Sequence, residues 1–351
     1  MSEKFDLIRA QARLHHAYLL GLQLMVSVNH EPALIEKWMF RLFRRQHEEK
    51  FLSSFEKLGL TDLPDAVACA HYHVLSNSLG GVGVEFMAET DRKAWVRFRY
   101  PRWMYFGPTI CGVPNEVGRG FLRGWYAHNG VSLRNPKLGF VCVSEDMTGE
   151  FGFCGYFQEY DHELSEQERL RFAKDELPPP FKQEDQPAPP EEQWNEERME
   201  KANRNYSVEF IRNALLQLEE VLGSDKAQEL GGKSARLIGL QYFQETRELV
   251  ETEDGDLDSA ASYLQRMFQG MGDSVEIVSK SGSGQIELIH SGLRIVRDLK
   301  GSQKELVLNC WQQLWVGAMS SFRQRKQLQC DFREDKIYWT LSTAESASET
   351  S

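Results

Sequence analysis

Four groups of residues in this sequence are of types and spacings that could do chemistry. Cys111, Cys142 and Cys154 offer thiols, and Cys111 stands in a loop pattern between strands rather than inside one. It is therefore the thiol best placed to attack a substrate or touch a ligand, although plain burial is the commonest fate of cysteine. With Glu145 the three would also supply metal donors, but none are spaced as CxxC and no metal is expected. His71-Tyr72-His73 places two imidazoles at i and i+2, which share a face on a strand but not on a helix. The local pattern is helical, so each stands alone as a possible acid or base or as a packed ring. Asn77, at i+4 from His73, shares that residue's face and a possible ligand.

Glu85 interrupts an otherwise apolar strand, and Glu276 repeats it in the second half of the chain. A carboxylate facing a core must be paired. Arg97 or Arg99 on the next strand would pair with it, or would hold a substrate carboxylate and leave Glu85 as general base. Trp103, Tyr105, Phe106, Trp125 and Tyr126 form the fourth group, beside a glycine-bearing loop. Such rings line pockets or fill cores equally well. No GxGxxG, Walker loop, HExxH or GxSxG is present, and no cofactor is expected.

The elements that must position these residues follow from periodicity. Leu7, Leu14, Tyr18, Leu22 and Met25 recur at helical spacing, and Pro32 suits the first turn of a second helix with Trp38, Leu42, Phe55 and Leu58 inward. Thr61-Asp62-Leu63-Pro64-Asp65 opens a third helix with a side-chain cap, over 66–77. Val82, Val84 and Phe86 then alternate, as do residues 94–100, before Pro101 stops the strand. A helix around Gly118 to Ala127 and strands at 140–143 and 151–157 complete the half. Residues 172–195 are acidic and proline-rich and read as a linker, and Ser342 to Ser351 as a disordered tail.

A second copy of this order runs from Met271 to Leu341. Gly83-Val84-Glu85-Phe86 matches Ser274-Val275-Glu276-Ile277; Phe121-Leu122-Arg123-Gly124-Trp125 matches Leu314-Trp315-Val316-Gly317-Ala318; Cys142 and Cys330 each sit in a closing strand pair, which has the shorter loop in the second half. The expected architecture is α+β: two related domains, each with helices followed by an antiparallel sheet with an inserted helix. The expected boundaries are 1–171, linker 172–195, 196–341 and tail 342–351, with the ligand site in the first domain; in the second, His290 and Arg294 are the main polar candidates.

The chain has 351 residues, a prior for two domains, and a formal net charge of -11, which disfavours nucleic-acid phosphate as a partner. The basic run Arg41 to Arg45 is followed by Glu48 and Glu49 and reads as a solvated helix face. No stretch reaches the ~20 apolar residues of a membrane span and none near the N-terminus reads as a signal peptide. Unpatterned cysteines point to a reducing, cytoplasmic setting. A homo-oligomer is possible on this reading.

The helix containing Gly120-Phe121-Leu122-Arg123-Gly124, with its closing strand pair, resembles the vinyl-reductase-type ligand-binding fold, and is similar to the L-2-amino-thiazoline-4-carboxylic acid hydrolases. The likeness covers residues 66–160 best. Glu145 and Cys154 fit two ligand positions of the vinyl-reductase-type metal site, while Thr148 stands where a third is needed. The resemblance implies a small-molecule enzyme, a hydrolase acting on a C–N or C–S bond of a small organic acid or heterocycle. In that reading Cys111, His71, His73 or Glu85 handles attack or protons, and Asn77, Arg97, Arg99 and the aromatics hold the substrate. The rival is a non-catalytic small-molecule sensor or interaction protein, which needs pocket walls but no converging titratable pair.

Overall fold

The computed structural model describes residues 3–190, 196–279 and 284–343. It resolves into two compact units, Val26–Met199 and a second made of Glu200–Ser351 with Met1–Met25. Each is α+β, with helices preceding a sheet and a further helix inserted between strand pairs. The first helix, α1 (Glu3–Asn29), carries the boundary between the units near its end.

In the unit Val26–Met199, α2 (Pro32–Lys57) starts on its proline and buries Ile35, Trp38, Met39 and Leu42 along one stripe. Helix α3 (Asp65–Leu79) follows Pro64 without the expected side-chain cap. Strands β1 (Val84–Thr90) and β2 (Lys93–Phe98) form a hairpin, and α4 (Asn115–Gly124) and the single turn α5 (Asn129–Ser132) precede β3 (Leu138–Ser144), β4 (Cys154–Glu159) and β5 (Leu170–Phe172). The sheet order is β1-β2-β4-β3-β5, antiparallel except for β3 with β5. Helix α3 packs on β1, β2 and β4.

Helix α4 lies against α2 through Gly120 and Gly124. A Cβ on Gly120 would sit 2.5 Å from the Glu36 carbonyl oxygen, and one on Gly124 2.6 Å from that of Phe40. Two glycines one turn apart let the backbones approach this closely. Arg44 then caps the end of α4 by donating from Nε to the Gly124 carbonyl at 3.0 Å.

The alternation in β2 does not mark one wet face. Met87, Trp95, Val141, Val143, Cys154 and Tyr156 form a second buried cluster, with Ala173 packed on it. Residues 173–190 are consequently less free than their composition implies. The Tyr156 hydroxyl donates to Glu176 at 3.1 Å. The Gln186 amide accepts from the Phe86 N–H at 2.9 Å and donates to the Phe86 carbonyl at 2.8 Å. One side chain thus occupies the open edge of β1, which would otherwise offer unpaired backbone. Of the expected linker, residue 172 belongs to β5 and residues 191–195 lie outside the described residues.

In the other unit, α6 (Glu196–Leu222), α7 (Ser224–Leu249) and α8 (Leu257–Met271) lead to β6 (Ser274–Ser279) and β7 (Gln285–Ser291), then α9 (Gly301–Ser321), β8 (Lys326–Arg333) and β9 (Lys336–Thr343). The order β6-β7-β9-β8 repeats β1-β2-β4-β3. The inserted helix α9 again meets an earlier helix, here α7, by glycine: a Cβ on Gly239 would lie 1.9 Å from the Leu314 carbonyl oxygen, and on Gly317 2.1 Å from that of Arg236. The small residues matched between Gly124 and Gly317 in the sequence thus do the same job. Glu334 and Asp335 turn β8 into β9 with φ of 50° and 61°, the left-handed pair of a two-residue hairpin.

The boundary at residue 171 needs correcting at its far end: residues 1–25 belong with the C-terminal half. There α1 is seated by specific contacts. The Leu7 carbonyl oxygen is 2.2 Å from where Gly270 would carry a Cβ. Tyr18 donates to the Gly231 carbonyl at 2.9 Å, and Trp311 Nε1 donates to His15 Nε2 at 3.0 Å. Residues 342 and 343 close β9, and the rest of the expected tail lies outside the described residues.

Candidate functional site

The start of α4 and the loop after β3 enclose a cleft of about 230 Å³, counting its space open to solvent. Phe121, Leu122 and Phe153 supply apolar walls, while Asn115, Glu145 and Asp146 supply oxygen atoms. Gly118 leaves the mouth clear, since a Cβ there would meet only the Tyr105 hydroxyl at 3.7 Å and Asp146 Oδ2 at 3.9 Å.

Beneath this cleft lies a buried charge pair. Asp146 Oδ1 accepts from both the Arg102 guanidinium and the Tyr100 hydroxyl. Arg102 is stacked among rings, its guanidinium carbon 4.3 Å from the Phe98 centroid, 5.3 Å from Tyr105 and 5.7 Å from Phe153. The Tyr100 hydroxyl also accepts from the Phe153 N–H at 3.2 Å, tying the far side of the loop to the pair. Burial, then the Asp146 charge, pushes the Tyr100 phenol above its ordinary range, and burial does the same to Tyr105 and Tyr126. These phenols remain protonated donors near neutral pH.

Four polar atoms in this region are buried without a hydrogen-bond partner: Arg102 Nε, the Tyr105 hydroxyl, the Tyr126 hydroxyl and Asn115 Oδ1. Buried polar groups are ordinarily satisfied, so this concentration sets the place apart. At the rim, Glu145 accepts from Arg119 at 2.9 and 3.4 Å and pairs with Lys174 at 3.5 Å.

The expected catalytic residues do not converge on this cleft. Cys111 is exposed at the end of a single 3₁₀ turn, with no hydrogen bond to a described residue. His71 and His73 diverge around α3, as i and i+2 must. The His71 ring sits edge-on to Phe86 at 4.5 Å, and burial lowers its pKa. His73 is sandwiched against Tyr126 at 3.9 Å, its Nε2 facing Asn129 Nδ2 at 3.2 Å, and burial pulls its pKa down to about 3. It is a neutral core ring rather than a proton carrier. Glu85 is no free base: Arg97 stands opposite it in register, 2.6 and 2.8 Å away, and Arg99 lies at 3.5 Å.

The expected binding residues are similarly occupied. Asn77 donates to the His73 carbonyl at 2.7 Å, within its own helix. Arg97 and Arg99 are held by Glu85. Trp103 opens the 3₁₀ turn that carries Tyr105. Trp125 packs edge-on to His47 at 5.3 Å, and Tyr126 is buried among Phe140, Phe153 and Phe157. Only Tyr105 and Tyr126 reach the Arg102–Asp146 region. Arg102 itself was overlooked in the sequence because it follows Pro101 in an irregular stretch, where periodicity is silent; the pair Glu145-Asp146 at a repeat position was the available signal. Cys142 and Cys154 are buried in the sheet, where burial raises both thiols, Cys154 to about 12. Among the described residues no group of three His, Cys, Asp or Glu side chains is arranged to hold a metal. Among them, too, no helix is long and apolar enough to cross a membrane.

No family profile and no curated protein matches the chain. A solved structure with a related trace is a trafficking protein particle complex subunit 3 from Naegleria fowleri covalently bound to palmitic acid. It is 12% identical, with a TM-score of 0.36, and the match covers 42% of this chain and 99% of that one. A likeness this distant bears on neither ligand nor activity.

Proposed function

We propose that the N-terminal unit is a binding module that takes a small amphipathic molecule into the α4 cleft without turning it over. The observation that carries this reading is the set of unpartnered buried polar atoms, Asn115 Oδ1 in the cleft wall and Arg102 Nε, the Tyr105 hydroxyl and the Tyr126 hydroxyl around the Asp146 pair behind it. Three donors and one acceptor without partners suit a ligand of a few heavy atoms bearing both a hydroxyl or amine and a carbonyl or carboxylate. The room in the cleft for a water-sized molecule is about 10 Å³, near that of a single water, so the guest is very small and enters as the walls give way. Hydrolysis, which the family resemblance implies, has less support. It requires a thiol with a nearby base, or an acid–base pair, whereas Cys111 is exposed without one and His73 is locked in the core. Six unpaired cysteines fit a reducing compartment.

The test combines native mass spectrometry of freshly purified protein with thermal-shift screening of small hydroxy and amino acids. Gly118→Leu serves as the control, since its side chain plugs the cleft from a position with free space. Binding by the native protein that is lost in Gly118→Leu supports the reading. Equal binding by both proteins, or accumulation of a product from the bound molecule, overturns it.

A further inference from the structure

Away from this cleft, in the C-terminal unit, several guanidinium groups gather where α8 ends. A Cβ on Gly272 would lie 3.0 Å from Arg204 Nε and 2.9 Å from Arg294 Nε, so the two arginines lie side by side over one glycine. Gly272 has φ of 78° and closes α8 as its left-handed cap. Both Nε atoms are buried without a hydrogen-bond partner. Burial lowers the pKa of Arg294, and the Arg204 and Arg297 charges lower it further. Arg212 extends the cluster, donating from Nη1 to the Arg297 carbonyl at 3.4 Å.

The negative groups at hand do not balance these charges. Asp273 is the carboxylate in contact, and its oxygens are already engaged. Oδ2 pairs with His290 Nε2 at 3.0 Å, and Oδ1 accepts the Arg294 backbone N–H at 3.2 Å. Arg294 Nε stands 3.9 Å from Oδ1, too far for a hydrogen bond. Its Nη1 donates to the neutral Asn205 Oδ1 at 3.3 Å and its Nη2 to the Gly272 carbonyl at 3.5 Å. The end of α8 contributes about half a negative charge. Arg204 and Arg297 have no carboxylate partner among the described residues, so Asp273 and the helix end leave the cluster with net positive charge on a chain whose formal charge is -11.

We infer that Arg204 and Arg294, with the Arg297 charge beside them, form a binding site for a small oxyanion of the phosphate class. The unsatisfied Nε atoms of the two clustered arginines can each pair with a neighbouring Nη in the two-pronged donation that phosphate oxygens accept. A bound anion would also relieve the repulsion between the guanidinium groups. The site sits on different elements from the α4 cleft and does not depend on it.

The experiment measures thermal unfolding of the full chain in sodium phosphate against sodium chloride at equal ionic strength. In parallel it measures co-sedimentation with phosphatidylcholine vesicles, with and without phosphatidic acid. Phosphate is expected to raise the midpoint beyond chloride. Arg204→Met, and separately the exposed Arg297→Met, which does not threaten folding, are expected to weaken phosphate affinity by at least about tenfold. Arg204→Met is also expected to raise the midpoint in phosphate-free buffer, because a like charge is removed; a merely structural arginine would lower it. Phosphate binding without sedimentation assigns a soluble phosphate compound, and sedimentation that depends on phosphatidic acid and is lost in the variants assigns a lipid headgroup. No phosphate effect beyond chloride together with no such sedimentation overturns the site, as does a response unchanged in the Arg204→Met/Arg297→Met protein.

Discussion

Alanine substitution of three glycines in one short helix is expected to give opposite effects. Gly118, Gly120 and Gly124 all lie in α4. At Gly118 the new methyl group would meet its nearest neighbours at 3.7 and 3.9 Å, ordinary contact distance. The replacement then gains the helix-propensity difference between glycine and alanine, up to about 1 kcal/mol. At Gly120 the same methyl would lie 2.5 Å from the Glu36 carbonyl oxygen, 2.7 Å from Met39 Cβ and 2.9 Å from the Phe40 nitrogen. Two of these three are backbone atoms of α2, so the helices must part, and overpacking of this kind costs about 1–3 kcal/mol. Gly124→Ala meets the Phe40 carbonyl oxygen at 2.6 Å and also disturbs the Arg44 cap. Gly118→Ala and Gly120→Ala should therefore differ by about 2 kcal/mol or more. With m near 2 kcal/mol/M this is roughly a 1 M separation in urea midpoint. Urea titration followed by tryptophan fluorescence and far-UV circular dichroism reads it directly. Equal midpoints for the two variants, or a Gly118→Ala protein less stable than Gly120→Ala, would show that α2 and α4 do not touch as described.

Other expectations concern charge. Asp146→Asn leaves Arg102 buried beside a neutral amide and is expected to cost about 3–5 kcal/mol, with much of the loss recovered in Arg102→Met/Asp146→Asn; additive losses in a double-mutant cycle would refute the pairing. His15, whose Nδ1 sits 2.7 Å from the Gln11 carbonyl and whose Nε2 accepts from Trp311, is lowered to about 4 by burial, and His73 to about 3. The unfolded chain protonates both near pH 6.5 while the folded chain does not. Stability is thus fully present above that pH and is lost as pH falls toward 4, by about 1.4 kcal/mol per pH unit for each ring; a calorimetric pH series that stays flat from 7 to 5 would contradict this. Iodoacetamide near pH 8 should label exposed Cys111 first, while Cys310, raised to about 12 by burial, and Cys330, raised to about 11, stay largely unlabelled in the folded protein.

Much of the fold was legible because periodicity survives wherever one face is buried. Leu14, Tyr18 and Leu22 of α1 and Trp38, Leu42 and Phe55 of α2 are all core residues, and the ordered matches between the halves reappear as one strand order used twice. What escaped was where elements go once formed. Helix α1 reads as amphipathic, but nothing local says that its stripe seats against Gly231 and Gly270 more than 200 residues away. The proline-rich segment reads as solvated because its apolar residues are few, yet Ala173 and Gln186 suffice to lay part of it on the sheet. At the candidate site, residues with striking chemistry on paper proved to be locally satisfied: Glu85 by a cross-strand arginine and Asn77 by its own helix. Arg102, whose Nε is left without a partner, stands in a loop without period.

The two halves also explain why their arginines meet different fates. Arg102 stands just before the first 3₁₀ turn after the second strand of its unit, and Arg294 opens the corresponding turn of the other. In the N-terminal unit the chain between β3 and β4 runs from residue 145 to 153, long enough to bring Asp146 back over the sheet to Arg102. In the C-terminal unit Glu334 and Asp335 alone join β8 to β9, in a left-handed two-residue turn. Asp335 of that turn pairs with Lys304 on α9. The short turn therefore supplies Arg294 with no carboxylate of the kind Asp146 supplies to Arg102. The stretch after the second strand thus holds a closed ion pair under a cleft in one unit and, in the other, an arginine of the inferred anion site.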